Sequence, residues 1–190
     1  MSVRRHVAFA AAFATFAVLA SNSSVAEELV VEPQDYRTDA YLGPTPATLK
    51  GARVVTTDEA HALWRAGTAA FVDVLPRPPR PRDLPAGTIW RDKPRHNIPG
   101  SVWLPDTGYG ELAAVTLEYF RAGLARATQG DRDKALVVYC LKDCWMSWNA
   151  AKRALEMGYR NVVWYPDGTD GWRASQFPVA DAAPMRRAGE

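Results

Sequence analysis

The feature that most constrains this chain is an apolar run that leads directly into a loop holding both of its cysteines. The run, Leu-Val-Val-Tyr at residues 136–139, has the composition of a buried β-strand. Cys140 and Cys144 follow immediately. Ser147 is a favourable N-cap residue and predicts a helix that runs to about Met157. A strand, a cysteine loop and a helix in this order place a thiol at the mouth of a helix.

The start of a helix favours a thiolate over a thiol, because unpaired backbone N–H groups and the positive end of the dipole lie there. Cys140 enters this field, whereas Cys144 is flanked by Asp143 and Trp145. We therefore predict two catalytic residues, with Cys140 as the reactive thiolate and Cys144 as the thiol that resolves it. Residues four apart around a helix start are also close enough for a disulfide.

The N-terminal residues have the pattern of a secretory signal. Arg4 and Arg5 precede an apolar run, and Ser-Val-Ala at residues 24–26 supplies a small-residue cleavage site. The mature protein is therefore predicted to be exported. The predicted organisation is a signal peptide over 1–26, an irregular arm over 27–52, one domain over 53–179 and a flexible tail over 180–190.

Net charge gives no reason to expect nucleic acid or an anionic membrane as a partner. The chain has 23 Lys and Arg against 21 Asp and Glu, and Arg4 and Arg5 account for the difference. Removal of the signal therefore leaves a balanced charge. No later segment has the length and hydropathy of a membrane span, so we expect no membrane association after cleavage.

Apolar strands alternate with amphipathic helices throughout residues 53–179. Thr56 and Glu59 form a capping-box pattern at the start of one helix, and residues 112–127 carry the apolar spacing of another. This alternation predicts an α/β fold with a mainly parallel sheet of about five strands. Ligands bind such sheets at the carboxyl ends of the strands, where Cys140 is expected to lie.

A long proline-rich connection, residues 76–99, separates two of the predicted strands and carries many basic side chains. Two interpretations remain open: a solvated covering loop, or a basic rim that attracts an anionic substrate or acidic partner toward the cysteine loop. The basic residues concerned are Arg77, Arg80, Arg82, Arg91, Lys93 and Arg95.

Taken together, residues 54–179 resemble a rhodanese-homology domain. The landmarks are Asp73 after an apolar strand, the His-Asn-Ile-Pro-Gly-Ser segment at 96–101, Cys140, the Gly-Tyr pair at 158–159 and the glycine-containing turn at 168–172. The resemblance implies a three-layer domain around a five-stranded sheet. It also implies that Cys140 is the persulfide-forming cysteine, with Asp73 and His96 as supporting residues.

More narrowly, two motifs resemble a group of exported proteins associated with alcohol catabolism that depends on pyrroloquinoline quinone (PQQ). These are the Cys-x-x-x-Cys-Trp stretch at 140–145 and Pro-Asp-Gly-Thr-Asp-Gly-Trp at 166–172. The resemblance implies a periplasmic location and a link to a quinoprotein dehydrogenase system. It implies no cofactor bound by this chain, and its direct partner would be a small sulfur-containing substrate or a redox protein.

The cysteine loop departs from the rhodanese pattern in two ways that weaken the case for sulfurtransferase activity. It is one residue longer, and Met146 stands about where the family has an arginine that binds an oxyanion. The only cation within it is Lys142, beside Asp143. The expected substrate contacts come from this loop and the helix start: Lys142, Asp143, Trp145, Met146 and Ser147.

Three interpretations of the two cysteines remain open. The first is thiol chemistry, either persulfide transfer or a dithiol–disulfide couple. The second is Cu(I) binding by the soft donors of Cys140, Cys144 and Met146. The third is an inert rhodanese-like module whose cysteines form a structural disulfide. A structural zinc site is not expected, because about four ligands would be required.

Overall fold

The protein is described by a computed structural model that covers residues 30–91, 93–187 and 189. The predicted signal, residues 1–26, lies outside the described residues. A five-stranded parallel sheet forms the centre, with strand order β1-β6-β5-β2-β4. Its strands are β1 (Arg53–Val54), β2 (Ala69–Asp73), β4 (Val102–Trp103), β5 (Ala135–Tyr139) and β6 (Val162–Tyr165). The predicted α/β fold with a five-stranded parallel sheet is confirmed.

Four helices cover the two faces of this sheet: α1 (Thr57–Ala66), α2 (Ala114–Thr128), α3 (Trp145–Glu156) and α4 (Gly168–Ala174). The predicted capping box forms at α1, where Glu59 N–H donates to Thr56 Oγ1 and Thr56 N–H donates to the Glu59 carboxylate. These bonds satisfy backbone donors that have no partner within the helix. Among the described residues, no helix is long and apolar enough to cross a membrane.

The central strand β5 contributes side chains to two separate hydrophobic cores, because alternate side chains of a strand point to opposite faces of the sheet. Leu136, Val138 and Cys140 belong to one core, which includes residues of α2 and α3. Val137 and Tyr139 belong to the other, which includes residues of α1 and α4. All of these side chains are fully buried. The fold thus places Cys140 directly beyond the central strand of the sheet.

Helix α3 begins three residues earlier than the sequence predicts. Cys144, not Ser147, is the N-cap residue, with an extended backbone at φ −119° and ψ 103°. Ser147 lies inside the first turn, where its hydroxyl donates to the Cys144 carbonyl at 2.9 Å. The prediction of an N-cap at Ser147 is therefore wrong, because that hydroxyl bonds backward to a carbonyl rather than accepting from an amide.

The C-terminal segment also differs from the flexible tail that the sequence predicts. Residues Ala180–Ala182 form strand β7, which pairs antiparallel with β3 (Arg95–Asn97). Beyond it, Met185 N–H donates to the Trp103 carbonyl at 2.9 Å. Backbone pairing with a neighbouring strand orders this segment although its own sequence carries no strand pattern.

Candidate functional site

A disulfide joins Cys140 and Cys144 and closes the loop between β5 and α3. Their Cα atoms are 6.2 Å apart. Cys140 is 0% exposed and Cys144 is 2% exposed, so neither sulfur is open to solvent in this arrangement. We call residues 140–144 the cysteine loop. Its position at the carboxyl end of β5 is the one expected from the strand–loop–helix pattern.

The turn between β6 and α4 holds the cysteine loop from one side. Thr169 donates to the Cys140 carbonyl from its N–H at 3.0 Å and from its hydroxyl at 3.4 Å. Lys142 N–H donates to an Asp170 carboxylate oxygen at 3.1 Å. Gly168 has φ +52°, and a Cβ there would collide with the Cys140 carbonyl. The motif at residues 166–172 therefore binds the backbone of the motif at residues 140–145.

Three residues of the N-terminal arm, 41–43, cover the cysteine loop from another side. We call them the strap. Trp145 N–H donates to the carbonyl of Tyr41 at 2.9 Å, and Gly43 N–H donates to the carbonyl of Asp143 at 2.8 Å. Leu42 lies opposite Cys144 in an antiparallel bridge. The strap thus pairs with the cysteine loop as a short edge strand would.

Side chains of α3 attach the rest of the arm. Asn149 is fully buried, accepts from Arg37 N–H at 3.0 Å and donates to the Arg37 carbonyl at 2.8 Å. Trp148 Nε1 donates to the Thr48 carbonyl at 3.1 Å. The Arg37 guanidinium lies 5.4 Å from the centre of the Trp145 ring. Trp145 and Trp148 of α3 therefore contact the arm, and the sequence had not indicated Asn149 at all.

Replacing Asn149 with Leu, which has a similar shape, is expected to destabilise the protein by about 2–3 kcal/mol. The change removes the bonds to Arg37 and a third bond, to the Gly108 carbonyl at 3.0 Å, and leaves their backbone partners unsatisfied. Urea denaturation measures the effect. Asn161→Ala is the control, since it removes one exposed bond and should cost less than about 0.5 kcal/mol. Equal stability of the two variants would contradict this role of Asn149.

Three amides of the loop region already have protein acceptors. Lys142 N–H bonds to Asp170, Trp145 N–H bonds to the strap, and Ser147 N–H bonds to the Cys144 carbonyl at 3.2 Å. Of the other expected substrate contacts, Met146 is buried against Gly108, and the Lys142 and Asp143 side chains are exposed. While the strap is in place, the N–H groups of Lys142, Trp145 and Ser147 are therefore not available to a substrate oxyanion.

Asp73 reaches the cysteine loop through a chain of buried side chains. It is 0% exposed, and it accepts from Arg95 Nε at 2.8 Å and from Leu75 N–H at 3.0 Å. Arg95 Nη1 in turn donates to the hydroxyl of Thr169 at 3.2 Å, which contacts the Cys140 carbonyl. Burial raises the pKa of Asp73, and the charge of Arg95 opposes this effect. The structure thus places Asp73 as an indirect brace of the loop.

His96 does not lie at the site. It is exposed on β3, where its Nδ1 lies 2.7 Å from an Asp181 carboxylate oxygen on β7. Arg95 and Asn97, on either side of it, are buried on the opposite face of the strand. The prediction that His96 supports the loop is therefore wrong, because strand alternation turns it outward. Arg95 likewise belongs to the interior rather than to a basic rim.

Among the described residues, no group of three or more His, Cys, Asp or Glu side chains is placed to hold a metal ion. The two thiol donors of the copper interpretation are consumed by the disulfide that joins them. In the oxidised state, the loop can therefore exchange thiols but cannot offer thiolates to Cu(I).

Residues 56–175 match a family model described as the rhodanese-like domain. No curated protein matches the chain.

Solved structures with a similar fold include three with low sequence identity. The polysulfide-sulfur transferase homodimer from Wolinella succinogenes is 17% identical, with 70% of this chain and 81% of that chain covered and a TM-score of 0.44. A human single-domain sulfurtransferase is 22% identical, with 65% and 96% covered and a TM-score of 0.41. A Rhodopseudomonas palustris protein of unknown function, described as a possible tyrosine phosphatase, is 23% identical, with 72% and 100% covered and a TM-score of 0.44.

The family match covers more than half of the chain, and it includes four strands of the parallel sheet, β2, β4, β5 and β6, and the cysteine loop at the end of the central strand. The chain therefore belongs to the rhodanese-like domain family.

Proposed function

We propose that this is an exported, periplasmic rhodanese-like protein whose Cys140 and Cys144 form a dithiol–disulfide couple. The observation that carries the proposal is the disulfide that closes the loop where the family places its reactive cysteine. Export is inferred from the signal pattern in residues 1–26. A link to PQQ-dependent alcohol catabolism is inferred from the two motifs at 140–145 and 166–172, and its partner system would be a quinoprotein dehydrogenase.

The reaction is a two-electron exchange with a dithiol partner. One partner thiolate attacks the loop disulfide, which forms a mixed disulfide and releases Cys140 as a thiolate. The second partner thiol then displaces the remaining loop sulfur, Cys144. The partner leaves as a disulfide, and the loop gains two electrons and two protons as a dithiol. The reverse reaction oxidises the loop again.

Persulfide transfer is less favoured than redox exchange by the contacts of the loop. An oxyanion donor such as thiosulfate needs hydrogen-bond donors that converge on it. Here the amides of Lys142, Trp145 and Ser147 are bonded to protein acceptors, and the family's arginine is replaced by buried Met146. We therefore place redox exchange first among the thiol chemistries.

Thiosulfate:cyanide sulfurtransferase activity of the reduced protein should be weak. The loss of one charge-assisted contact lowers transition-state binding by about 1.5–3 kcal/mol, which is roughly 10- to 150-fold in rate. The assay compares the wild type with an arginine-containing rhodanese and with Cys140→Ser. Robust turnover that requires Cys140 would show that the missing arginine matters less than argued. Turnover that survives Cys140→Ser would identify a different nucleophile.

A second candidate function is an inert binding module with a structural disulfide. The burial of both sulfurs favours it, since a buried disulfide exchanges slowly. The two candidates differ in whether the couple changes state while the protein remains folded.

Intact mass spectrometry of the protein, quenched and alkylated as it leaves the cell, tests the proposal. The expected species begins near Glu27 and carries either the disulfide or two alkylated thiols, in proportions that follow the growth conditions. The Cys144→Ser variant is the control, since it cannot form the internal bond. A gain of one sulfur would favour persulfide transfer, and a retained metal would favour copper binding. A single oxidised species under all conditions would favour the inert module.

A further inference from the structure

The strap occupies a backbone edge that lies directly beside the disulfide. The edge consists of the Asp143 carbonyl and the Trp145 N–H, which flank Cys144. Cys144 itself has extended backbone angles, so this stretch is already shaped to pair with a strand. The strap uses both groups, at 2.8 Å and 2.9 Å, with Leu42 opposite Cys144. The edge therefore accepts an extended peptide in antiparallel register.

The register is the one in which opposite side chains approach most closely. The bonds on either side of the Leu42–Cys144 bridge come from the neighbouring residues, so these two residues form a non-hydrogen-bonded pair. Cβ atoms in such pairs are about 4.5–5.5 Å apart, close to the distance that a disulfide spans. A cysteine at the position of Leu42 would thus stand opposite Cys144.

The strap also blocks the chemistry that the loop is proposed to perform. Both sulfurs are at most 2% exposed while the strap is in place. A partner thiolate cannot reach the disulfide without displacing the covering chain. Few contacts join the strap to the loop itself: Leu42 is 72% exposed and two backbone bonds pair residues 41–43 with residues 143–145. The Tyr41 side chain holds the strap elsewhere, since it accepts from Gly110 N–H and packs against Tyr109.

We propose that this edge is a docking site for an extended thiol-bearing segment of a partner protein, and that the strap fills it until the partner displaces the strap by strand pairing. The inference rests on the proposed redox function. The partner's cysteine takes the position of Leu42 and attacks Cys144, and the bond to Cys140 breaks. The mixed disulfide forms at Cys144, Cys140 leaves as the thiolate, and a second partner thiol completes the exchange.

The first test uses two synthetic peptides with the wild-type protein. Both contain one cysteine flanked by β-branched residues, and one is N-methylated at the two residues beside the cysteine so that it cannot donate to Asp143. The unmodified peptide should form the mixed disulfide about 2- to 12-fold faster, the effect of one backbone hydrogen bond. Equal rates for the two peptides would overturn the docking site.

Weakening the strap should raise the rate for the unmodified peptide. Gly43→Pro removes the N–H that donates to the Asp143 carbonyl, and proline also cannot adopt the φ of +159° found at this position. An increase of at least about 2- to 12-fold, the effect of the lost bond alone, is therefore expected. Ala47→Pro is the matched control, since it adds a proline at an exposed arm position outside the strap. No increase in Gly43→Pro over Ala47→Pro would contradict the role of the strap as occupant.

A cysteine built into the strap tests the register without any partner. In Leu42→Cys the introduced thiol should attack Cys144, so that non-reducing peptide mapping finds a bond from position 42 to Cys144 and a free Cys140. Ala47→Cys should keep the native disulfide and one free introduced thiol. A native disulfide that persists in Leu42→Cys would overturn the proposed geometry.

The tests separate this inference from the proposed function. If glutathione and dithiothreitol exchange with the folded protein but the two peptides react equally, the docking site fails and the redox function stands. If no thiol exchanges with the folded protein, including the Gly43→Pro variant, the redox function fails and the docking site fails with it.

Discussion

Replacing Arg95 with Met should destabilise the protein by about 3–5 kcal/mol at pH 7.5, because it leaves the buried carboxylate of Asp73 without its cation. Arg95 also links Asp73 to Thr169, which holds the Cys140 carbonyl. Urea denaturation followed by tryptophan fluorescence measures the loss. The matched control is Arg91→Met, an exposed arginine of the same connection, which should stay within about 0.5 kcal/mol of wild type.

The loss in Arg95→Met should be smaller at pH 5 than at pH 7.5. Burial raises the pKa of Asp73 above its ordinary value of 3.8, and Arg95 opposes that rise. A raised folded-state pKa means that protonation stabilises the native state below pH 3.8, and this contribution is lost as pH rises through the folded pKa. Without Arg95 the folded pKa of Asp73 moves further upward, so protonation relieves the buried charge at a higher pH. An equal loss at both pH values would show that Asp73 is not the group left unpaired.

The second large effect concerns the two cysteines themselves. Cys140→Ser and Cys144→Ser should each abolish the two-electron dithiol–disulfide exchange of the loop and cost about 2–4 kcal/mol of stability relative to the oxidised wild type. With oxidised glutathione, Cys140→Ser should accumulate a mixed disulfide at Cys144, since Cys140 is no longer present to displace the glutathione. Cys144→Ser should react more slowly, because the edge that the strap occupies lies beside Cys144, whereas Cys140 is fully buried and does not pair with the strap. Intact mass spectrometry over time distinguishes the two variants.

The opposite result would favour the roles expected from sequence. The sequence predicts that Cys140 reacts first and that Cys144 then displaces the group bound to Cys140. A glutathione adduct that forms rapidly in Cys144→Ser but not in Cys140→Ser would support that assignment. It would also contradict attack at Cys144 from the strap position. Serine in place of each cysteine keeps the size of the side chain nearly constant, so the pair serves as its own control.

The central fold could be predicted because local and tertiary preferences agree there. The run at 136–139 is β-branched and apolar, and it forms the buried strand β5. Thr56 and Glu59 form the capping box that their spacing predicts. The prediction of an N-cap at Ser147 failed because the strap pairs with Cys144 from about a hundred residues away in sequence, and this contact leaves no local signal. Strand β7 lies in the predicted flexible tail and was not predicted for the same reason, since it forms by pairing with β3 about 85 residues earlier in the chain.

The site was predictable only in part. The spacing of Cys140 and Cys144 indicated that a disulfide was within reach, and the two are joined. The link that Arg95 forms between Asp73 and Thr169 was not predicted, because Arg95 lies in a proline-rich basic segment. Such a composition is typical of a solvent-exposed loop. The strap was missed because residues 41–43 carry no periodic pattern, and they contact residues about a hundred positions away. Long-range backbone pairing of this kind leaves no local signal in a single sequence.

The measurement that tests the account most directly is the reduction potential of the Cys140–Cys144 couple in the folded protein. The full chain is equilibrated in glutathione buffers of graded potential, quenched with acid and alkylated, and the two forms are counted by intact mass. A redox couple predicts a midpoint between about −120 and −270 mV, the range of known thiol–disulfide exchange proteins. A couple that remains oxidised below about −300 mV would be a structural disulfide, and the proposed redox function would be wrong.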